Sequence, residues 1–284
     1  MGKAIIDGRD AKGPKKILRA IGEAIEQLGW RVDYWRVEAG ELPDCDLVVL
    51  WSSVHPNYGP ALEKIRRKKI KALFVQNGWR PKETTFQVDT FAANGLATWA
   101  REPMDVRPGT PLKVKSGYLL VACQDGMYAA SKEFSPWFSG SEDFIEHFLR
   151  HSRLPCVFRS HPLDPISPKV ISKIEAAGAK VDRSRSVEEA LSGAAALATI
   201  HSTVAVDAMI AGLPVLCYGR AAYRHHGAVY EMDDSPLKTW CRTNQIRAGS
   251  CELDANSQAA VLARLQARQW SFGDLPHRLG PLLP

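Results

Sequence analysis

Two rhythms of apolar and polar positions alternate along the chain. KAIIDG (3–8) is a short strand-type run, followed by PKKILRAIGEAIEQLG (14–29), whose apolar residues recur every three or four positions between an opening proline and a closing glycine. RVDYWRV (31–37) alternates as a half-covered strand does, and DLVVLWS (46–52) is a continuous apolar run of the kind buried on both faces. PALEKIRRKK (60–69) returns to a helical period and ALFVQNG (72–78) to a strand. Strands that alternate with helices predict parallel strand–helix–strand units, so the class is α/β.

Residues 79–116 lose this rhythm and carry prolines at 81, 103, 108 and 111, which predicts long loops and then a linker near 103–116. A second series follows: YLLVACQD (118–125), a serine-opened helix SEDFIEHFLRHS (141–152), PCVFRSH (155–161) and the helix SPKVISKIEAAG (167–178). KVDR (180–183), SVEEALSGA (186–194), AALATIH (195–201), a short helix over 203–211 and PVLCYG (214–219) complete it. The expectation is two doubly wound domains, 1–110 and 117–254. ANSQAAVLARLQARQW (255–270) has no strand pattern after it, and residues 255–284 are expected to pack back on the first domain.

Composition narrows the picture. With 284 residues, 45% hydrophobic and 24% charged, the chain has the length for two cores and the balance of a globular protein. It has no apolar run of the roughly 18 residues that a membrane span needs. MGKAIIDG enters a strand directly, without a signal-peptide pattern, so a cytoplasmic location is expected. Six cysteines without a CxxC pair read as free thiols, with Cys45, Cys123, Cys156 and Cys217 in or beside strand runs. The net charge of +6 is localised: residues 1–120 hold 20 Lys/Arg against 14 Asp/Glu, and the rest hold 17 of each. The run KIRRKKIK (64–71) is either a solvated helix face or a patch for a polyanion.

In doubly wound sheets, ligands bind beyond the carboxyl ends of the strands. The polar residues of the second series fall there: Gln124 and Asp125, then Ser160 and His161, then His201, Ser202 and Thr203. Unpaired N–H groups at a helix start suit a phosphate, although Ser202 and Thr203 also read as ordinary N-caps. Asp207, one turn into that helix, reads either as an acceptor for ribose hydroxyls or as an exposed or Arg-paired carboxylate. Neither GxGxxG nor GxxxxGK[ST] occurs, and no paired His/Asp cluster points to a metal. Asp7-Gly8-Arg9-Asp10 reads as a turn or as a ligand contact at the first strand's tip.

Gln124, His161-Pro162, Ser202, Asp207-Ala208, Gly212, Pro214-Val215, Gly219 and Tyr223 together resemble the pattern of the capsule-polysaccharide and Kdo-transferase-like glycosyltransferases of the GT-B fold, over roughly the second half of the chain. The chain departs from that pattern in carrying Asp207 where the family often has Glu. The resemblance implies two Rossmann-like domains facing a central cleft, with a UDP- or CMP-sugar donor on the second domain and no permanently bound cofactor. It places the phosphates at the His-Pro loop and Ser202, and the ribose at the helix carboxylate. Arg159, His161 and Arg220 are candidates for offsetting phosphate charge without a metal. An acceptor hydroxyl needs a base, and Asp89 is the first choice, ahead of Glu83, Asp7 and Asp10.

The basic first domain suggests an acceptor. A 5-hydroxymethylpyrimidine in modified, phage-type DNA comes first, with Trp79, Phe86 or Phe91 stacking on or replacing an extruded base. A glycan or glycolipid, with peripheral contact to an anionic membrane surface, is the rival. A sugar-nucleotide epimerase and a non-catalytic DNA-binding protein are the readings from other classes.

Overall fold

The computed structural model describes residues 1–284 except 9–11, 37–38, 53–55, 82–83, 93, 108, 125 and 127–132, and the side chains of 12–14, 56 and 94. The chain forms two compact units, residues 1–101 with 265–284, and residues 102–264. No helix among the described residues is long and apolar enough to cross a membrane.

The first unit follows the predicted alternation: β1 (Lys3–Asp7), α1 (Lys12–Gln27), β2 (Arg31–Trp35), β3 (Leu47–Trp51), α2 (Gly59–Lys68), β4 (Lys71–Asn77). Side chains alternate across a strand, so its two faces build two cores. Ala4, Ile6, Leu47 and Val49 meet Ile17, Leu18 and Ile21 of α1 on one face. Ile5, Val48 and Leu50 meet Tyr58, Ala61 and Ile65 on the other. The expected loop 79–116 departs from this: it contains β5 (Thr85–Asp89), antiparallel to β4, and two short 3-10 turns.

The second unit has β6 (Tyr118–Ala122), α3 (Ser141–His151), β7 (Cys156–Arg159), α4 (Pro168–Ala176), β8 (Lys180–Val181), α5 (Val187–Ser192), β9 (Ala194–Thr199), α6 (Val204–Ile210), β10 (Val215–Cys217), β11 (Tyr230–Glu231), α7 (Pro236–Arg247) and α8 (Ala255–Arg268). All six strands are parallel, in the order β11-β10-β9-β6-β7-β8. Ser167 and Ser186 cap α4 and α5 by accepting from Val170 N and Glu189 N. Ser141, expected as a cap, instead donates to the Gln124 main-chain O at 2.7 Å.

The tail corrects two expectations. Most of α8 stays with the second unit, where Gln258 donates to Leu213 O at 2.9 Å and Arg264 to Glu102 O at 2.6 Å. A strand does follow it: β12 (Gln269–Ser271) pairs antiparallel with β5, and α9 (Leu275–Leu279) places Leu275 and Leu279 in the α1-side core. The first sheet therefore reads β12-β5-β4-β3-β1-β2.

Chain order reverses between β1 and β3 in the first sheet and between β6 and β9 in the second. These are the switch points beyond which doubly wound sheets open a crevice for ligand.

Candidate functional site

In the second sheet, Ala122 is in register with Arg159 on one side and Thr199 on the other, and Thr199 with Cys217. Two residues past that rung stand Gln124, His161, His201 and Gly219. Adjacent strands lie about 4.8 Å apart, so these four positions line the carboxyl edge at one level across the switch point. Gln124 is 7% exposed and its Oε1 is buried without a hydrogen-bond partner among the described residues. A buried carbonyl in that state costs about 1–3 kcal/mol, which a donor on a ligand would recover. His161 Nδ1 accepts from Leu163 N at 3.3 Å, which leaves Nε2 to carry the proton in the neutral ring. His201 is buried, its ring 5.0 Å from that of Phe134.

The turn into α6 is self-bonded. Ser202 N donates to Thr199 Oγ1 at 3.1 Å, and Ser202 Oγ accepts from Val204 N at 3.3 Å. Thr203 is at the N-cap position but its side chain makes no cap bond. Asp207 is half-buried in α6. Gly219 is required where it stands, because a Cβ there would lie 2.5 Å from Phe134 O and 2.8 Å from Ile200 O. Arg220 is exposed just beyond, without an ion pair among the described residues, while its backbone N–H donates to Phe134 O at 2.8 Å.

Arg159, expected at the phosphates, and Tyr223, expected at the donor from the family pattern, serve the framework instead. Arg159 is paired with Asp182, whose side chain is 4% exposed. Burial pushes the Asp182 carboxyl up, but hydrogen bonds from Ser184 and Arg159 outweigh it and hold the group below its ordinary value. Tyr223 is fully buried, and its hydroxyl donates to Ser202 O at 2.9 Å, so it steadies the turn from behind. Arg224, which sequence reasoning passed over, bonds Glu231 at 3.1 Å and Gly219 O at 3.2 Å. An arginine five residues after a glycine carries no signal of that closure.

In the first unit Asp89 does not face the carboxyl edge. β5 runs against β4 and Asp89 pairs with Phe74, three residues back from Asn77 and hence about 10 Å from that edge. Its carboxylate accepts from Phe91 N at 2.7 Å, Ala92 N at 3.1 Å and Thr98 Oγ1 at 3.1 Å, which is the bonding of a turn anchor. Asp7 is the carboxylate at the first switch point. It is 3% exposed, and its Oδ2 accepts from Trp51 N at 3.4 Å and from the Tyr58 hydroxyl. A pocket of about 290 Å³ opens there, lined by Asp7, Gly8, Leu18 and Tyr34 together with Lys15, Arg19 and Arg36. Asp10, Glu83 and Asp125 lie outside the described residues.

The aromatics and the basic run also differ from expectation. Trp79 packs edge-on to Trp99 at 5.6 Å, Phe86 is fully buried, and Phe91 alone of the three is exposed, next to the Asp89 turn. Within 64–71, Lys64 is 8% exposed and bonds Leu42 O at 2.6 Å, with Glu41 at 3.1 Å and Asp44 at 3.2 Å. Lys68 meets Asp44 at 2.8 Å, and bonds from Lys68 and Lys64 draw the Asp44 carboxyl down to about 2.

Two doubly wound units, the first completed by the returning C-terminal segment, define the GT-B fold. Solved structures agree over nearly the full length. The Thermosulfurimonas dismutans KpsC beta Kdo 2,7 transferase is 16% identical and aligns over 99% of this chain and 99% of its own with a TM-score of 0.57. The KpsC beta Kdo 2,4 transferase of the same organism is 11% identical over 99% and 98%, with a TM-score of 0.52. No family model matches the sequence, and no curated protein matches it significantly.

Proposed function

We propose that the protein is a glycosyltransferase that moves a sugar from a nucleotide-sugar donor to an acceptor hydroxyl. The observation that carries this reading is the buried Gln124 side-chain Oε1 at the second switch point, unpartnered among the described residues and level with His161 and His201. A lone buried acceptor in that place is what a ligand's N–H or O–H would complete. The donor, a UDP- or CMP-sugar, lies over β6, β9 and β10. His161 Nε2–H and the Ser202–Thr203 turn hold phosphate oxygens, Arg220 offsets their charge, and Asp207 takes the ribose hydroxyls.

Asp7 is the base in this proposal, in place of Asp89. The acceptor oxygen attacks the anomeric carbon and gives its proton to the Asp7 carboxylate. The carbon–oxygen bond to the phosphate breaks, and the departing phosphate keeps the electron pair beside Arg220. A glycan acceptor is favoured over hydroxymethylated DNA, because Trp79 and Phe86 are committed to packing and Lys64 and Lys68 to ion pairs.

The test is a panel of UDP-, CMP- and GDP-sugars with glycan, hydroxymethylated DNA and unmodified DNA acceptors, read as nucleotide release and acceptor mass. Release with a glycan supports the assignment. Release only with hydroxymethylated DNA overturns the choice of acceptor, and DNA binding without any turnover overturns the enzyme.

A further inference from the structure

Gly219 O and Arg220 N belong to one peptide unit, and that unit is held at both ends. Arg224 Nη1 donates to Gly219 O at 3.2 Å, and Arg220 N donates to Phe134 O at 2.8 Å. A peptide unit is planar, so two such bonds fix its orientation, and with it the point from which the Arg220 side chain leaves the main chain. The Cys217 thiol proton is shared between Gly219 O at 3.3 Å and Ile200 O at 3.4 Å, and a thiol is a weak donor. The guanidinium is the strong hold on that carbonyl.

Glu231 in turn holds the guanidinium. It closes the edge strand β11, in register with Cys217. Its Oε2 accepts from Arg224 Nε at 3.1 Å and from the His225 ring Nδ1 at 3.0 Å, and its Oε1 accepts from His225 N at 3.0 Å. His225 stands in the left-handed region at φ 67°, which a residue with a side chain keeps only where its neighbours impose it. The Arg224 side chain is 14% exposed, so these partners rather than water set its position.

We infer that Glu231 is a positioning residue for the phosphate side of the donor site, acting through Arg224 on the Gly219–Arg220 peptide and so on the Arg220 side chain. The inference rests on the proposed transferase reading and deepens it. Gly219 lines the carboxyl edge at the level of Gln124, His161 and His201, so a shift of its peptide moves the wall of that site. Charge alone predicts the opposite effect: Glu231 is an anion beside the proposed phosphate position, and its removal would tighten nucleotide binding. A loss of affinity in Glu231→Gln reports position.

The experiment titrates the full-length protein with UDP and CMP and with uridine and cytidine, which lack the phosphates. Wild type should bind the nucleotide at least tenfold more tightly than its nucleoside. Glu231→Gln and Arg224→Gln should each cut that preference at least fivefold, with nucleoside affinity within twofold of wild type as the sign of an intact fold. Arg220→Ala should do the same, and adding it to Glu231→Gln should cost less than a further twofold, because both act at one point. Equal losses for nucleotide and nucleoside overturn the inference in favour of a general structural role. Tighter nucleotide binding in Glu231→Gln overturns it in favour of charge. A preference retained in either variant, or losses that multiply in full with Arg220→Ala, also overturns it while leaving the transferase reading in place. Wild type that binds nucleotide no more tightly than nucleoside contradicts both.

Discussion

The Tyr58 hydroxyl donates to Asp7 Oδ2, so a fully buried aromatic just ahead of α2 fixes the carboxylate at the tip of β1. With the Trp51 N–H on the same oxygen, Asp7 is held from its own sheet and from the helix layer at once. Tyr58→Phe keeps the ring and removes one of these holds. A misplaced base lowers kcat, here by about tenfold, and donor KM should stay unchanged. Steady-state kinetics at saturating acceptor would separate the two.

Gln124 should show opposite effects on stability and binding. Gln124→Met removes a buried side-chain carbonyl that has no partner among the described residues. Melting temperature should hold or rise, while nucleotide affinity falls at least tenfold, since a site built to pair with a ligand donor loses that bond. Scanning calorimetry and titration with UDP and CMP would show both; equal affinity in the variant would remove Gln124 from the site.

Much of this arrangement was legible in the sequence, and the exceptions have causes. The strand runs at 3–8, 46–52 and 72–78 fall on β1, β3 and β4, because a buried strand must be continuously apolar. Gln124, His161 and His201 were readable as strand-end residues because each follows such a run. Asp89 was misplaced because 79–116 reads as loop: the five residues TFQVD stand among prolines and turn residues, and their pairing against β4 is a long-range contact that local pattern does not carry. β12 was missed because three residues show no alternation, and its Gln269, which receives Trp79 N at 3.1 Å and donates to Arg80 O at 2.7 Å, pairs across 190 and 189 positions. Arg159 looked like a phosphate ligand because its partner Asp182 lies on another loop, 23 residues away.

The Arg159–Asp182 pair makes a pH prediction. Asp182 titrates below its ordinary 3.8 in the folded chain, so its contribution to stability is present above that value and is lost as the pH falls through the folded one. Arg159→Ala should lower stability at pH 7, because Asp182 then keeps only its bonds from Ser184. The gap from wild type should narrow only as the pH falls below 3.8. Urea titrations at both pH values would measure it, and nucleotide affinity of the folded variant should be unchanged.

Gly219→Ala should be destabilising. The added carbon would stand 2.5 Å from Phe134 O and 2.7 Å from Ile200 Cγ2, inside the turn that backs His201. Overpacking of that kind costs about 1–3 kcal/mol and would shift the turn. Both a lower melting temperature and weaker nucleotide binding are expected.

The most direct measurement is acceptor-dependent nucleotide release by wild type, Asp7→Asn and Asp89→Asn under identical conditions. Asp7→Asn should lose at least 100-fold in rate, the lower range for removal of a general base, with donor affinity retained. Asp89→Asn should turn over at near the wild-type rate while melting at a lower temperature, because it weakens the turn at Phe91, Ala92 and Thr98. Wild-type activity in Asp7→Asn, or loss of chemistry in a folded Asp89→Asn, would contradict the assignment of the base to the first switch point.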